Sequence, residues 1–329
     1  GPRFMAWHFH EGARVMQGMN RCRIRCWLPV ARLGATLMCL TPLSLALVCL
    51  TTVCLTSVAC GQAPAPSAGN SAGGADAQSA AAGTGGVAQN PLFTTQPGEH
   101  PLAPALRWAR MGLAELDKIQ DYSATLVKRE RIDGVLNDHE YAFVKVRSKP
   151  LSVYMYFLGP AKVKGQEALY VAGDNDGNLL AHPNGLRHKL IGTVRLKPDS
   201  MLAMAGNRYP ITQLGIRRLT ERLIEVGEHD MKYGECEVKM LEGAKINGRQ
   251  CTCIQVVHPK QRNYFLFNMA RIYVDNQLNV PIRYEAYEWP KEPGGEPQLT
   301  EEYTYLNLKL NNGFTDQDFD PKNPNYQFE

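Results

Sequence analysis

Cysteine and histidine are the residues whose types and spacing come closest to catalytic chemistry in this chain of 329 residues. Beyond residue 100 there are three cysteines, Cys236, Cys251 and Cys253, and His258 follows closely. A thiol beside a histidine is the arrangement of a cysteine nucleophile. Alternation along a strand instead favours core or disulfide roles for Cys251 and Cys253. Three cysteines in an oxidising compartment predict one disulfide of undetermined pairing and one free thiol.

Three acidic side chains near the C-terminal end could bind a hard cation. They alternate along the chain, as Asp316, Asp318 and Asp320. In an extended strand all three would face one way. A calcium loop needs glycine where Pro321 stands, so a solvated segment held down by Phe319 and Tyr326 is the simpler interpretation. We predict no metal and no cofactor, and keep a thiol or metal-dependent hydrolase only as an alternative.

Composition and motifs argue against an enzyme and against nucleic-acid binding. The sequence has no Gly-x-Ser-x-Gly elbow, phosphate-binding glycine loop or dinucleotide fingerprint. Six of the 36 basic and three of the 32 acidic residues precede residue 101, which leaves 30 basic against 29 acidic residues beyond it. Nucleic-acid domains carry a concentrated basic face. We therefore predict a non-enzymatic protein with no nucleic-acid partner.

An uncharged hydrophobic segment near the N-terminus predicts export. Four arginines between residues 21 and 32 precede the stretch 33–60, which has no charged residue. This is the order of a signal peptide, although signal cores usually span ~7–15 residues and ~20 residues cross a bilayer. Three fates stay open: cleavage after Ala59, lipid attachment at Cys60, or retention as a transmembrane anchor. Each places the rest of the chain in the periplasm or cell envelope.

Residues 61–100 consist almost wholly of small and polar residues. Such a composition has too few large apolar side chains to offset the entropy of ordering, so it predicts a disordered tether. A tether is useful if the chain stays near a membrane. We predict three regions: an export signal or membrane anchor over 1–60, the tether over 61–100, and a β-rich domain over 101–329.

Periodicity within 101–329 predicts an α+β fold. Apolar residues at helical spacing predict one amphipathic helix over 102–119 and a second along Ile216–Val226, which Gly227 is expected to end. Runs of β-branched and aromatic residues, separated by turns such as Asp133-Gly134 and Asn247-Gly248, predict about ten strands. Because the strands arrive in runs, we expect a curled, mostly antiparallel sheet covered by the two helices.

Several predicted strands carry apolar residues on both faces, such as 151–158 and 264–275. Ordinary core on both faces is one interpretation. The other is a concave apolar cavity for a lipid or acyl chain, lined by adaptable Met and aromatic side chains. For that cavity we predict the lining residues Met155, Tyr156, Phe265, Phe267, Met269, Tyr284 and Tyr303.

Longer motifs carry a family resemblance. The stretches 149–151, 164–171, 175–182 and 318–326 resemble an exported bacterial family known only as a domain of unknown function. The order of a long helix, a strand at 122–126, and hairpins with a helical insertion resembles the LolA-like superfamily of envelope lipoprotein carriers and regulators. The resemblance implies an incomplete β-barrel closed by helices, whose interior holds acyl chains without covalent chemistry.

These observations lead to two functional hypotheses. The first is a cell-envelope protein that binds lipid or lipoprotein acyl chains in a concave apolar sheet and associates with a membrane through its N-terminal segment. The second is a sensor or structural partner that binds another envelope protein through an exposed edge strand.

Overall fold

The computed structural model describes residues 96–185 and 191–328. The predicted signal or anchor, Cys60 and nearly all of the predicted tether lie outside these residues. Within the part that is described, no helix is long and apolar enough to cross a membrane.

Twelve antiparallel strands form one sheet, and two α-helices accompany it in the described residues. The helices are α1 (Ala103–Leu116) and α2 (Ile216–Asp230). The strands are β1 (Asp121–Ile132), β2 (Val135–Leu136), β3 (Glu140–Arg147), β4 (Ser152–Gly159), β5 (Glu167–Val171), β6 (Leu179–His182), β7 (Val194–Leu196), β8 (Glu237–Ile246), β9 (Arg249–Val257), β10 (Met269–Asp275), β11 (Pro281–Glu288) and β12 (Gln298–Leu310).

The strand order is β7-β6-β5-β4-β3-β1-β12-β11-β10-β9-β8, and β2 pairs with β1. Strands β7 and β8 are the two edges, so the sheet is not closed into a barrel. The first and twelfth strands are central partners, with Tyr122 opposite Leu310 and Glu130 opposite Glu301. The predicted α+β fold, with a curled antiparallel sheet and two helices, is confirmed.

The tight turns follow from residues that tolerate positive φ. Asp133 and Gly134 have φ of 50° and 81° between β1 and β2. Asn247 and Gly248 have φ of 50° and 77° between β8 and β9. Paired positive values are those of a type I′ hairpin, whose twist matches that of the flanking strands. Both predicted turns are therefore confirmed.

Glycine 227 has a different role from the one predicted. Helix α2 continues past it to Asp230, so the expected end at Gly227 is wrong. A Cβ at this position would lie 2.8 Å from Cδ2 of Leu106 on α1. The missing side chain therefore lets the two helices pack closely, which sequence periodicity cannot distinguish from a helix stop.

Both helices cover the same face of the sheet, which we call the helix-covered face. One buried cluster joins Leu116 of α1 and Ile216 of α2 to Leu126 of β1 and its neighbours on β3, β4 and β12. A second joins Trp108 of α1 to Ile272 and the neighbouring strands β9 and β11. Since side chains alternate along a strand, Leu126 and Ile272 show which positions of β1 and β10 face the helices.

The C-terminal segment 312–328 covers the opposite face at β4, β5 and β6. Asp121 anchors its start by accepting hydrogen bonds from the backbone N–H groups of residues 312–314 at 2.6–3.1 Å. Phe319 is buried, and the Tyr326 ring stacks on Tyr154 with centroids 3.8 Å apart. The prediction that Phe319 and Tyr326 hold this segment down is confirmed, and β4 is packed on both faces.

Candidate ligand-binding site

Four of the seven predicted lining residues belong to the clusters beneath the helices. Met155 and Tyr303 lie in the first cluster. Phe267 and Tyr284 lie in the second. Tyr284 and Tyr303 are directly opposite each other on β11 and β12, so they share one face and connect the two clusters.

The structure places the other three predicted residues elsewhere. Tyr156 packs with the C-terminal segment on the opposite face. Met269 is three positions from Ile272 on β10, so alternation turns it away from the helices. Phe265 stacks on the buried His258 ring at 3.8 Å. The strand predicted over 264–275 begins only at Met269, and the alternation assumed for Phe265 and Phe267 therefore does not apply.

The three cysteines are buried, free thiols, so the predicted disulfide is not formed in the structure. Burial raises the pKa of each thiol to about 11, and a thiol that stays protonated is a poor nucleophile. The ring nitrogens of His258 lie 3.0 Å from the Phe267 carbonyl oxygen and 3.4 Å from a carboxylate oxygen of Asp230. The histidine is thus engaged away from Cys251 and Cys253.

Acidic residues of the C-terminal segment are engaged in ion pairs. Asp316 pairs with Arg147 at 2.6 Å, and Asp318 pairs with Lys145 at 2.9 Å. Asp318 also accepts a hydrogen bond from the backbone N–H of Thr315 at 3.0 Å. Among the residues with described coordinates, no cluster of His, Cys, Asp and Glu could hold a metal ion.

Charged residues that the sequence analysis did not single out form a buried network on the helix-covered face. Lys128 of β1 contacts Glu130 at 3.2 Å and Glu140 of β3 at 3.1 Å. Its ammonium group also donates to the side-chain oxygen of Asn207 at 2.7 Å. Lys128 and Glu130 are only 8% and 5% exposed. They continue the apolar face begun by Leu126, and this period-2 pattern is the signal that could have revealed them.

A second half of the network centres on Glu301 of β12, which lies directly opposite Glu130. Its carboxylate accepts hydrogen bonds from Arg208 Nε at 3.0 Å and from the Tyr209 hydroxyl at 3.1 Å. The Tyr303 hydroxyl donates to Glu130 at 2.5 Å. Burial raises the pKa of Glu301, and the guanidinium of Arg208 opposes that rise. We call Lys128, Glu130, Glu140, Glu301 and Tyr303 the charged mouth.

Asn207, Arg208 and Tyr209 belong to the segment 197–215, which connects β7 to α2 and which we call the crossing segment. Arg208 also donates to the backbone carbonyl of Arg131 at 3.2 Å. The part of the crossing segment before Pro210 is largely exposed, with Met201 at 90% and Leu202 at 67%. Polar contacts with the charged mouth therefore attach this part to the sheet.

A small pocket lies where the crossing segment enters α2. Its volume is about 10 Å³, which is room for roughly one water molecule. The side chains around it are Leu116, Ile119, Tyr122, Ser148, Ile216, Arg217 and Leu310. An acyl chain could enter here only if the covering elements moved.

The fold and site define a class of protein: an open, curled antiparallel sheet with two helices on one face and a charged mouth beside an apolar cluster. A model of the family described as protein of unknown function (DUF1571) matches residues 119–328. The chain belongs to this family, as the sequence motifs indicated. No curated protein matches it in sequence.

The chain is also similar, at low sequence identity, to several solved structures. A putative outer membrane lipoprotein-sorting protein domain from Vibrio parahaemolyticus is 12% identical, with 65% of this chain and 95% of that chain covered and a TM-score of 0.32. The lipoprotein LppX of Mycobacterium tuberculosis is 15% identical, with 65% and 98% covered and a TM-score of 0.38. A LolA superfamily protein of Nitrosomonas europaea is 14% identical, with 64% and 97% covered and a TM-score of 0.25. Likenesses at this level do not assign a ligand.

Proposed function

We propose that this protein binds acyl chains of lipids or lipoproteins, without covalent chemistry, on the helix-covered face beside the crossing segment. The proposed contacts are Met155, Phe267, Tyr284 and Tyr303. Tyr156, Phe265 and Met269 serve as comparison positions, because they lie outside the clusters beneath the helices. We further propose that the chain is exported and that its first hundred residues keep this domain near a membrane.

The observation that carries the proposal is how the crossing segment is attached. None of its residues between 197 and 210 belongs to a buried apolar cluster, and it holds the sheet through Asn207, Arg208 and Tyr209. Segments with little buried apolar surface open at low free-energy cost. Opening here would uncover Tyr303, whose ring centroid lies 6.4 Å from that of Tyr209, together with its cross-strand partner Tyr284.

The free-energy cost of opening the crossing segment is similar to the free energy gained by burying an acyl chain. Four polar contacts attach the segment, and net contributions of ~1–2 kcal/mol each give a cost of roughly 4–8 kcal/mol. Each buried methylene contributes about 0.8 kcal/mol. An acyl chain that buries roughly ten methylenes therefore offsets the opening cost, whereas a short chain does not.

Site-specific photo-crosslinking in cells tests the proposal. The full chain is produced in a bacterial envelope with p-benzoylphenylalanine at position 284, and the mass of the adduct is measured. We expect an acyl-lipid adduct at Tyr284 and none at Tyr287, its matched neighbour on the opposite face of β11. Equal labelling at both positions, or no lipid adduct at Tyr284, would refute acyl binding at this face.

One observation favours the alternative of a protein partner. Strand β8 is an open edge ten residues long, and Leu241 on it is 44% exposed. However, a register shift between Leu241 and Ala244 interrupts the strand, and Lys239 and Lys245 flank it. Bulges and lysines discourage strand addition. Placing the photoreactive residue at position 241 separates the hypotheses, since one dominant protein adduct there would support the partner function.

A further inference from the structure

The charge of the mouth depends on a group that the crossing segment supplies. Its strand residues comprise three carboxylates, on Glu130, Glu140 and Glu301, and one ammonium group, on Lys128. Lys162 lies 3.6 Å from Glu140, and Arg208 adds a further positive charge from the crossing segment. If the segment moves away, Glu301 loses the cation with which it pairs in the structure. A ligand that takes the place of Arg208 on Glu301 therefore brings a cation.

This charge arrangement is not explained by stability alone. Buried ion pairs often contribute less than well-packed apolar residues of the same volume, because desolvation offsets the attraction. Here, charged side chains interrupt an otherwise apolar face directly beside Tyr284 and Tyr303. Clusters of buried titratable groups in such positions are candidates for binding sites.

The geometry of Arg208 indicates which cation fits. Its Nε donates to Glu301 at 3.0 Å, and the adjacent Tyr209 hydroxyl donates to the other oxygen of the same carboxylate at 3.1 Å. A replacement must therefore both carry positive charge and donate hydrogen bonds. A primary ammonium group does both, whereas a quaternary ammonium group has no N–H. Lys128, freed from Asn207, would then meet an anionic group next to that ammonium.

We propose that the charged mouth recognises the primary ammonium of a zwitterionic acyl lipid, which takes the place of the Arg208 guanidinium on Glu301. The inference rests on the proposed acyl binding and specifies the headgroup of the ligand. Arg208 is then an internal competitor that occupies the headgroup site when no lipid is bound.

The test compares two lipids that differ only in the headgroup. The purified full chain is mixed with phosphatidylcholine vesicles that carry either phosphatidylethanolamine or phosphatidylglycerol with the same diazirine-bearing acyl chain. For the unchanged chain we expect cross-linking of the ethanolamine lipid to exceed that of the glycerol lipid roughly tenfold, the discrimination one charge-assisted hydrogen bond can supply.

Two variants of one ion pair give opposite expectations. Glu301→Gln should bring the labelling ratio close to one, whereas Arg208→Gln should raise the ratio because the competitor is gone. Glu302→Gln is the matched control: Glu302 faces the other side of β12, where it pairs with Arg283 at 2.7 Å, and the ratio should not change.

Each outcome decides a separate question. A ratio near one in the unchanged chain, or a shift in the same direction for both variants, overturns headgroup recognition while acyl binding stands. Absence of labelling with both lipids refutes acyl binding itself, and headgroup recognition with it. If circular dichroism shows that Glu301→Gln does not fold, Arg208→Gln alone tests headgroup recognition. An increased labelling ratio in that variant supports recognition, and an unchanged ratio overturns it.

Discussion

Replacing Lys128 with methionine removes the only ammonium group of the charged mouth while nearly preserving the side chain's length. Lys128 lies 3.2 Å from Glu130 and 3.1 Å from Glu140, and it is 8% exposed. Removing one partner of a buried ion pair costs ~3–5 kcal/mol, because the remaining charge stays buried and unpaired. Glu140 keeps a second partner, Lys162, at 3.6 Å, so we expect the lower end, about 3 kcal/mol.

Urea denaturation of the full chain, followed by circular dichroism, measures this loss. With a slope of ~2–3 kcal/mol per molar urea, a loss of about 3 kcal/mol lowers the midpoint by roughly 1 M or more. The matched control is Lys309→Met on the exposed side of β12, where surface substitutions change stability by less than ~0.5 kcal/mol.

A double variant isolates the physical cause. Lys128→Met with Glu130→Gln leaves no unpaired charge at position 130, and the glutamine oxygen can still accept the hydrogen bond from Tyr303. We expect it to recover ~1–2 kcal/mol relative to Lys128→Met alone. The reasoning is refuted if Lys128→Met costs no more than the control, or if the second substitution destabilises the protein further.

Three further substitutions test other parts of the structure. Gly227→Ala should destabilise the protein by ~1–2 kcal/mol in urea denaturation, since the clash with Leu106 outweighs the gain in helix propensity. Gly234→Ala is the control, because there is open space around Gly234. A Gly227→Ala protein that is more stable would contradict the helix contact. Tyr122→Phe removes the hydroxyl that accepts from the first N–H of α2 at 3.0 Å and should cost ~1–3 kcal/mol, and an unchanged midpoint would argue against this cap. Burial raises the pKa of Glu301, so the folded state binds its proton more tightly, and stability should fall as pH rises above about 4.3. Glu301→Gln should remove this decline from the pH profile of unfolding free energy, and parallel profiles would refute it.

The sequence by itself determined the local elements and their class. Period-2 and period-3.6 patterns identified most strands and both helices, because side-chain direction in an isolated element depends only on backbone geometry. The pairs Asp133-Gly134 and Asn247-Gly248 predicted their turns, because Asn, Asp and Gly are the residues that readily adopt the positive φ of a type I′ turn. The sequence motifs indicated a family known only as a domain of unknown function, and a model of such a family matches residues 119–328.

Tertiary structure decided which of these residues meet. Alternation could not reveal that the strand predicted from residue 264 begins only at Met269, nor that the C-terminal segment covers Tyr156. From the sequence, Gly227 is predicted to end a helix. In the structure it lies where α2 contacts Leu106 of α1. The charged mouth joins residues of β1, β3 and β12, far apart in sequence, to Arg208 of the crossing segment. Their pairing depends on strand order and register, which are long-range properties that no local pattern encodes.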